Sequence, residues 1–369
     1  MRKKVLIVAP GFVPPWSEGR KNFILDLAPP LSKYWDVEAL SADYGKKFLP
    51  GEWPVKTECV SCHNRFFQLP ALHWALRKKL SAQNKPDAVL HFPFGTFDGL
   101  RGAANKWSMG VVDRMARSGG LPCLTILYAV TKGDPAALSK KVGLLAASGG
   151  RGWDGPVVNI GINLERTPLV RKRENTKKLL FMAGLSENKR SQFNNILYVR
   201  GLIDILKIGE RLAVHGFTLT IAAPIFQCGE RREELSGLLK KMAPSLKVNI
   251  DTLVDINKAF NGHCIYLFPF RENHARFVPT SVLEAMAAGI PLIASDLPMM
   301  DLIFDSNPHC GKRFAARDSE ALLEAILDRT NNWEQTARDA ELASVHARRF
   351  WDINNSAKQI VDIIVTEGR

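Results

Sequence analysis

Residues 276–296 read RFVPTSVLEAMAAGIPLIASD. Two patterns meet in this stretch. PTSVLEAMAAG has the signals of a helix: Pro279 suits the first helical position or the turn before it, Thr280 or Ser281 can cap it, and Gly289 can end it. IPLIASD is then a short apolar run, as expected of a strand buried on both faces. The one acid of the helix pattern, Glu284, falls in the first turn on this reading, among apolar and small residues. A cation, Arg276, stands eight residues before it.

Working outward, the same alternation fills the chain. In the first half KVLIVAP, DVEALSA, PDAVLHFPF, PCLTILYA and GPVVNIGI read as strands, separated by helix-like segments such as GRKNFILDLAPPLSKY and LHWALRKKLSAQ. A polar, basic linker follows at 165–178, and the pattern restarts with KLLFMAGL. VRGLIDILKIGERLAVHG reads as one long helix, FTLTIAA, LKVNIDTL and CIYLFPF as strands, and the last part as helical. Apolar strands alternating with helices predict parallel sheets covered on both faces. The fold class is therefore α/β, with two successive doubly wound, Rossmann-like units.

Composition narrows the class. The chain has 369 residues, 46% hydrophobic and 24% charged, which suits two globular domains. No run reaches the roughly 18 apolar residues of a membrane span. The start MRKKVLIVAPGFVPPW imitates a signal peptide, yet it runs into Pro-Pro-Trp without a small-residue cleavage site. It reads as a buried first strand, so the expected location is cytoplasmic. Six cysteines are too few for a disulfide scaffold. CVSCH at 59–63 matches the c-type haem attachment pattern but lacks an export signal, and a zinc site would need a second ligand pair. The plainer reading is two small residues at a strand end. The net charge of +13 is uneven: residues 1–170 hold 23 Lys and Arg against 13 Asp and Glu, the remainder 27 against 24. Phosphates, an anionic membrane surface or a solvated basic face would each account for the basic first half. Nucleic acid is not expected, because the aromatics are not interleaved with the cations.

Ligands of open parallel sheets bind beyond the carboxyl ends of the strands. After the first strand, Glu18, Gly19, Arg20 and Lys21 lie at a helix start, where backbone can approach a ligand and anions are favoured. His91 follows another strand and is a candidate acceptor contact. After the first strand of the second half come Gly184, Lys189 and Arg190, with Arg200 further on; cations here would neutralise a diphosphate. At the opening stretch, the free amides of residues 280–283 would form an anion site at a helix N-terminus, the dipole adding about 0.3–1 kcal/mol. Neither a Gly-x-Gly-x-x-Gly fingerprint nor a P-loop is present, which argues against dinucleotide and Walker-type sites.

RFVPTSVLEAMAAGIPLIASD resembles the donor-site motif of the retaining glycosyltransferases of family 4, which have the GT-B fold. VLIVAPGFVPPWSEGRKNFILDLA looks like their first strand and acceptor-side glycine loop, and LLFMAGLSENK the start of their donor domain. The closing RFWDINNSAKQIVDII is similar to the helix that crosses back to the first domain. The resemblance implies an acceptor-side domain over 1–167, a nucleotide-sugar domain over 168–345, and a returning helix over 346–369. It implies a glycosyltransferase of the hexosyltransferase class, moving a sugar with retention from a UDP- or GDP-linked donor to a glycan or lipid-linked acceptor. Such an enzyme would be cytoplasmic, with a peripheral place on the inner membrane face left open, as is its oligomeric state. Glu284 would hold the ribose, amides near Pro279, Thr280 and Ser281 the diphosphate, and a basic pair near Gly184 the leaving group. No metal or other cofactor is expected. Arg276 stands where the family carries a second, sugar-contacting Glu; Glu272 and His274 are the nearby substitutes. The alternative is a GT-B pseudo-enzyme that binds nucleotide or glycan without transfer.

Overall fold

A computed structural model describes residues 2–12, 19–44, 55–94, 99–127, 144–147, 157–170, 174–184, 188–227, 229–252, 256–273 and 278–367. The chain divides into two compact units. One is made of Met1–Ile162 with Trp351–Arg369, the other of Asn163–His274 with Val278–Phe350.

The first unit is built on a seven-stranded sheet. Its strands are β1 (Lys4–Val8), β2 (Asp36–Tyr44), β3 (Lys56–Cys62), β4 (Ala88–His91), β5 (Cys123–Leu127), β6 (Leu144–Ala147) and β7 (Val157–Val158). They lie in the order β3-β2-β1-β4-β5-β6-β7, with every pair parallel. β4 and β5 are buried along their whole length and β1 from Val5 onward, which explains their continuous apolar sequences. Leu6, Val8, Val89 and Cys123 share one core with Leu72 and Leu76 of the helix Gln68–Leu80 and Val112 and Ala116 of the helix Gly99–Ser118. Each such valine or leucine contributes about 1.5–3 kcal/mol by leaving water.

The unit closes with the chain's last described helix, Ile353–Glu367. Ile162 donates to the Trp351 carbonyl at 2.7 Å and Ile353 to the Ile162 carbonyl at 3.1 Å. Ser356 Oγ donates to the Asn159 carbonyl at 2.7 Å. Gly161 makes this docking possible, since a Cβ there would lie 2.3 Å from Ile353 Cα.

The second unit carries six parallel strands: β8 (Lys178–Met182), β9 (Thr218–Ala222), β10 (Lys247–Asp251), β11 (Ile265–Phe268), β12 (Leu292–Ser295) and β13 (Lys312–Phe314). Their order is β10-β9-β8-β11-β12-β13. In both sheets the strand order reverses beside the first strand of the unit, between β1 and β4 and between β8 and β11. That reversal is where loops part and leave room for a ligand.

Several elements differ from expectation. β3 was expected only as a strand end at Cys59 and Cys62, not over its full seven residues, because KTECVSC has no continuous apolar run and its residues alternate in exposure. Cys59 and Cys62 are free and half-buried in β3, and burial pushes the Cys59 thiol up to about 12. β6 and β13 are short runs that fall below a usual strand signal. GPVVNIGI shrinks to two strand residues and an isolated bridge between Ile162 and Asp352. The long helix expected over 199–216 is broken into a π-helical turn at Asn195–Val199 and helices at Leu202–Lys207 and Gly209–Val214. The break is at Gly201, whose φ of +78° ends the turn, and a Cβ there would sit 1.7 Å from the Pro269 carbonyl oxygen.

Candidate functional site

In the second unit the site is assembled around Tyr266 on β11. The ring is completely buried, and its hydroxyl donates to Ser281 Oγ at 3.1 Å. Burial drives the phenol up to about 12, so it stays protonated, while the Ser281 hydrogen bond and the nearby Arg200 charge pull the other way and Glu284 adds to the rise. Tyr266 is thus the point at which Arg200, Ser281 and Glu284 meet electrostatically.

Arg200 reaches this place through the broken helix. The π-helical turn is closed by the Arg200 amide donating to the Asn195 carbonyl at 2.8 Å, and Gly201 then turns the chain away. The guanidinium lies 5.4 Å from the Phe270 ring centre, and its Nε donates to Asn195 Oδ1 at 3.2 Å. Phe270 in turn stacks on Phe268 at 4.0 Å. The Arg271 amide donates to the Val199 carbonyl at 2.9 Å, which ties the loop after β11 to the turn that carries Arg200. Burial lowers the Arg200 pKa, with Tyr266 opposing. A half-dehydrated cation of this kind gains more from an arriving anion than a solvated one does.

The helix Thr280–Ala287 starts beside this cluster. Pro279, not Thr280 or Ser281, stands at its N-cap, and no side chain caps it. The Pro279 carbonyl takes the Val282 amide at 2.9 Å and the Leu283 amide at 3.5 Å. The open amides are therefore those of Thr280 and Ser281, two rather than the four expected. Glu284 lies one or two residues further into the helix than expected, past the first turn; it is half-buried. At the other end Gly289, with φ +69°, forms a Schellman cap: its amide donates to Met286 and that of Ile290 to Ala285. Arg348 Nη1 donates to the Ala287 carbonyl at 3.2 Å, a cation at the negative helix end.

The other expected donor-site residues are placed differently. Gly184 is exposed just beyond β8. Lys189 is the N-cap of the short helix Arg190–Asn194. Arg190 is bound to Glu234, which it shares with Arg231 at 2.6 Å, and lies over the Phe193 ring. Glu272 is exposed and 3.7 Å from Arg317. His274 and Arg276 lie outside the described residues, as do Leu185–Glu187. Among the described residues, no group of three or more His, Cys, Asp or Glu is arranged to hold a metal ion.

In the first unit the residues at the strand reversal turn inward. Glu18 lies outside the described residues, and Gly19 opens the helix Gly19–Leu31. Arg20 is buried: Nη2 donates to the Pro10 carbonyl at 2.9 Å, Nη1 to Phe92 and Pro93 at 3.1 and 3.2 Å, and the group lies over Phe94. It clamps the segment after β1 to the segment after β4. Lys21 is half-buried on the same helix. His91 is fully enclosed at the end of β4, so it does not stand at the surface as an acceptor contact would. Burial, then His73 and Arg20, holds its pKa down near 3.

Residues 177–332 match the family model for glycosyl transferases group 1. They form a group 1 glycosyl transferase domain. This transferase domain contains β8 to β13 and the whole Tyr266 cluster. Solved structures extend the likeness of fold to the entire chain, which has the GT-B fold of two Rossmann-like units. A glycosyltransferase from Rickettsia africae ESF-5 aligns over 98% of both chains, with a TM-score of 0.73 at 13% identity. Anabaena HepE in complex with UDP and glucose aligns over 99% of this chain and 100% of its own, at 0.69 and 14%. Sucrose-phosphate synthase from Thermosynechococcus elongatus aligns over 99% of each, at 0.70 and 13%. No curated protein matches the sequence.

Tyr266 and Phe270 were missed in the sequence, though a tyrosine in an otherwise apolar buried strand is a signal, because its hydroxyl must find a partner. Gly201 was a second signal, as a lone glycine inside a helical pattern often has a packing reason.

Proposed function

We propose that the chain is an active retaining glycosyltransferase that takes a sugar from a nucleotide donor, UDP-linked in first choice, to a glycan or lipid-linked acceptor. The observation that carries this is the convergence of Arg200, Ser281 and Glu284 on Tyr266 at the strand reversal of the transferase domain. UDP is favoured over GDP because HepE, similar in fold, was solved with UDP and with UDP-glucose.

In this reading Glu284 accepts hydrogen bonds from the ribose diol. The Thr280 and Ser281 amides and Arg200 hold the diphosphate. As the bond from anomeric carbon to diphosphate oxygen breaks, Arg200 and the amides stabilise the charge on the leaving group. The acceptor oxygen bonds to the same face of the anomeric carbon, and its proton passes to the leaving phosphate. The reading assigns the electrostatic role to these groups and includes no metal. The positive excess of residues 1–170 supports an acceptor at an anionic membrane surface, with the enzyme peripheral on the cytoplasmic side. No described helix is long and apolar enough to cross a membrane.

Glu284→Ala should weaken UDP binding about tenfold in calorimetry, roughly 1.4 kcal/mol, with the fold intact. Arg200→Ala should lower turnover of a radiolabelled UDP-sugar by about 100-fold or more. Unchanged UDP affinity in Glu284→Ala would leave that side chain only a helix-packing role and overturn the assignment.

A further inference from the structure

The first unit exposes more aromatic surface than its own packing explains. Phe66 is 90% exposed, Leu100 92%, Trp74 66%, Phe67 57% and Trp107 54%. Scattered exposed apolar residues are ordinary; a contiguous group is not. These are grouped by the fold. Phe67, Trp74 and Lys78 recur at helical spacing along and just before Gln68–Leu80, and Leu100, Trp107 and Arg114 recur every seven residues along Gly99–Ser118. The two helices share one core, and His73, next to Trp74, meets the Trp107 ring edge-on at 4.9 Å while its Nε2 pairs with Ser108 Oγ at 2.9 Å.

Among the described residues of these two helices, the exposed charge has one sign. Gln68–Leu80 contains no acid, and Gly99–Ser118 contains only Asp113, which is buried and tied to Arg117. Arg77, Lys78, Lys106 and Arg114 are exposed and have no carboxylate partner among the described residues. Lys78 lies over the Trp74 ring at 5.9 Å. Lys79, by contrast, is neutralised by Glu38 and Glu58. Tryptophan, phenylalanine and leucine beside unpaired lysine and arginine are the chemistry of an interfacial membrane anchor, the rings entering the headgroup layer and the cations meeting anionic lipid.

We infer that Phe66, Phe67, Trp74, Leu100 and Trp107, with Arg77, Lys78, Lys106 and Arg114 around them, dock the first unit onto an anionic bilayer. The inference rests on the membrane-surface reading above and names the face and the anchors. It also separates two roles within the basic half: Arg20 is consumed inside the fold, whereas these four cations remain available to lipid.

The test is co-sedimentation of the full chain with phosphatidylcholine–phosphatidylglycerol vesicles and with phosphatidylcholine alone. The wild type should pellet with the first and much less with the second. Trp74→Ala/Trp107→Ala and, separately, Arg77→Glu/Lys78→Glu should each lower partitioning about tenfold. All four side chains are exposed, so circular dichroism and UDP affinity should not change. A wild type that ignores anionic vesicles overturns both this inference and the membrane reading. A wild type that binds, with both variants binding equally well, overturns only the inference. A dimer that these substitutions dissociate, without vesicle binding, would assign the face to a second copy of the chain and also overturn it.

Discussion

Arg190 and Arg200 are both cations near the start of the transferase domain, and their partners separate them. Arg190 is neutralised by Glu234, whereas Arg200 rests on an aromatic ring and a neutral amide, so its charge remains for a ligand. The letters alone could not distinguish them, because Glu234 is 44 residues from Arg190. Glu284 was legible from its position in a helix-start pattern, but its depth was not: moving the N-cap from Thr280 or Ser281 to Pro279 shifts it from the first turn to the second. His91 shows the reverse case, a residue placed correctly at a strand end whose burial no local pattern reveals. It makes a pH prediction. In the folded chain it stays neutral to about pH 3, while unfolded it takes up a proton near 6.5. Below 6.5 the unfolded state therefore binds more protons, and stability falls with falling pH through the window from 6.5 to about 3. At pH 5 the loss from His91 alone is about 2 kcal/mol. His91→Leu should flatten the decline in denaturation midpoint between pH 7 and 5 by about that amount; an identical slope would mean that the native imidazole is solvated.

At the scale of elements, the best-read stretch was the helix Thr280–Ala287 with β12. Gly289 and Ile290 close it with local hydrogen bonds, and local chemistry is what a sequence spells out. The misread stretch, 199–216, fails for the opposite reason. Its apolar spacing is helical throughout, and the break is imposed by the Pro269 carbonyl, 68 residues beyond Gly201. β3 and β13 were lost similarly: a short or polar strand is recruited by its neighbour rather than by its own pattern. Gly201→Ala tests the account. The new methyl would collide with the carbonyl and force a positive φ on a residue with a Cβ, so a loss of roughly 3 kcal/mol or more is expected in urea unfolding. Because the same turn delivers Arg200, UDP affinity should fall as well. Wild-type stability would show that the loop after β11 yields readily.

At the scale of the whole molecule, the two α/β units and their strand repertoire were largely visible, since buried parallel strands write themselves as apolar runs. What composition could not show is how the first unit is completed. Trp351–Arg369 belongs to it, although the entire second unit intervenes in sequence. Removing residues 351–369 should therefore injure the distant part of the chain. It strips the helix Ile353–Glu367 from the unit's own helix Gly19–Leu31 and leaves the Asn159 carbonyl and Ile162 amide without partners. Limited proteolysis of that truncation should cut first within residues 1–162 while 178–350 resists. Equal resistance of both halves would make the returning helix dispensable.

The same feature governs the order of events at the ribosome. Asn163–Phe350 is fully synthesised before the first unit has its last helix, so the later half of the chain can reach its final form while the earlier half still waits. During that interval the face of Gly19–Leu31 that will receive Ile353–Glu367 is open to water. At synthesis rates of about 5–20 residues per second, the nearly 190 intervening residues keep it open for roughly 10–40 s. A nascent chain of this design is most in need of a chaperone at its beginning, and until its end.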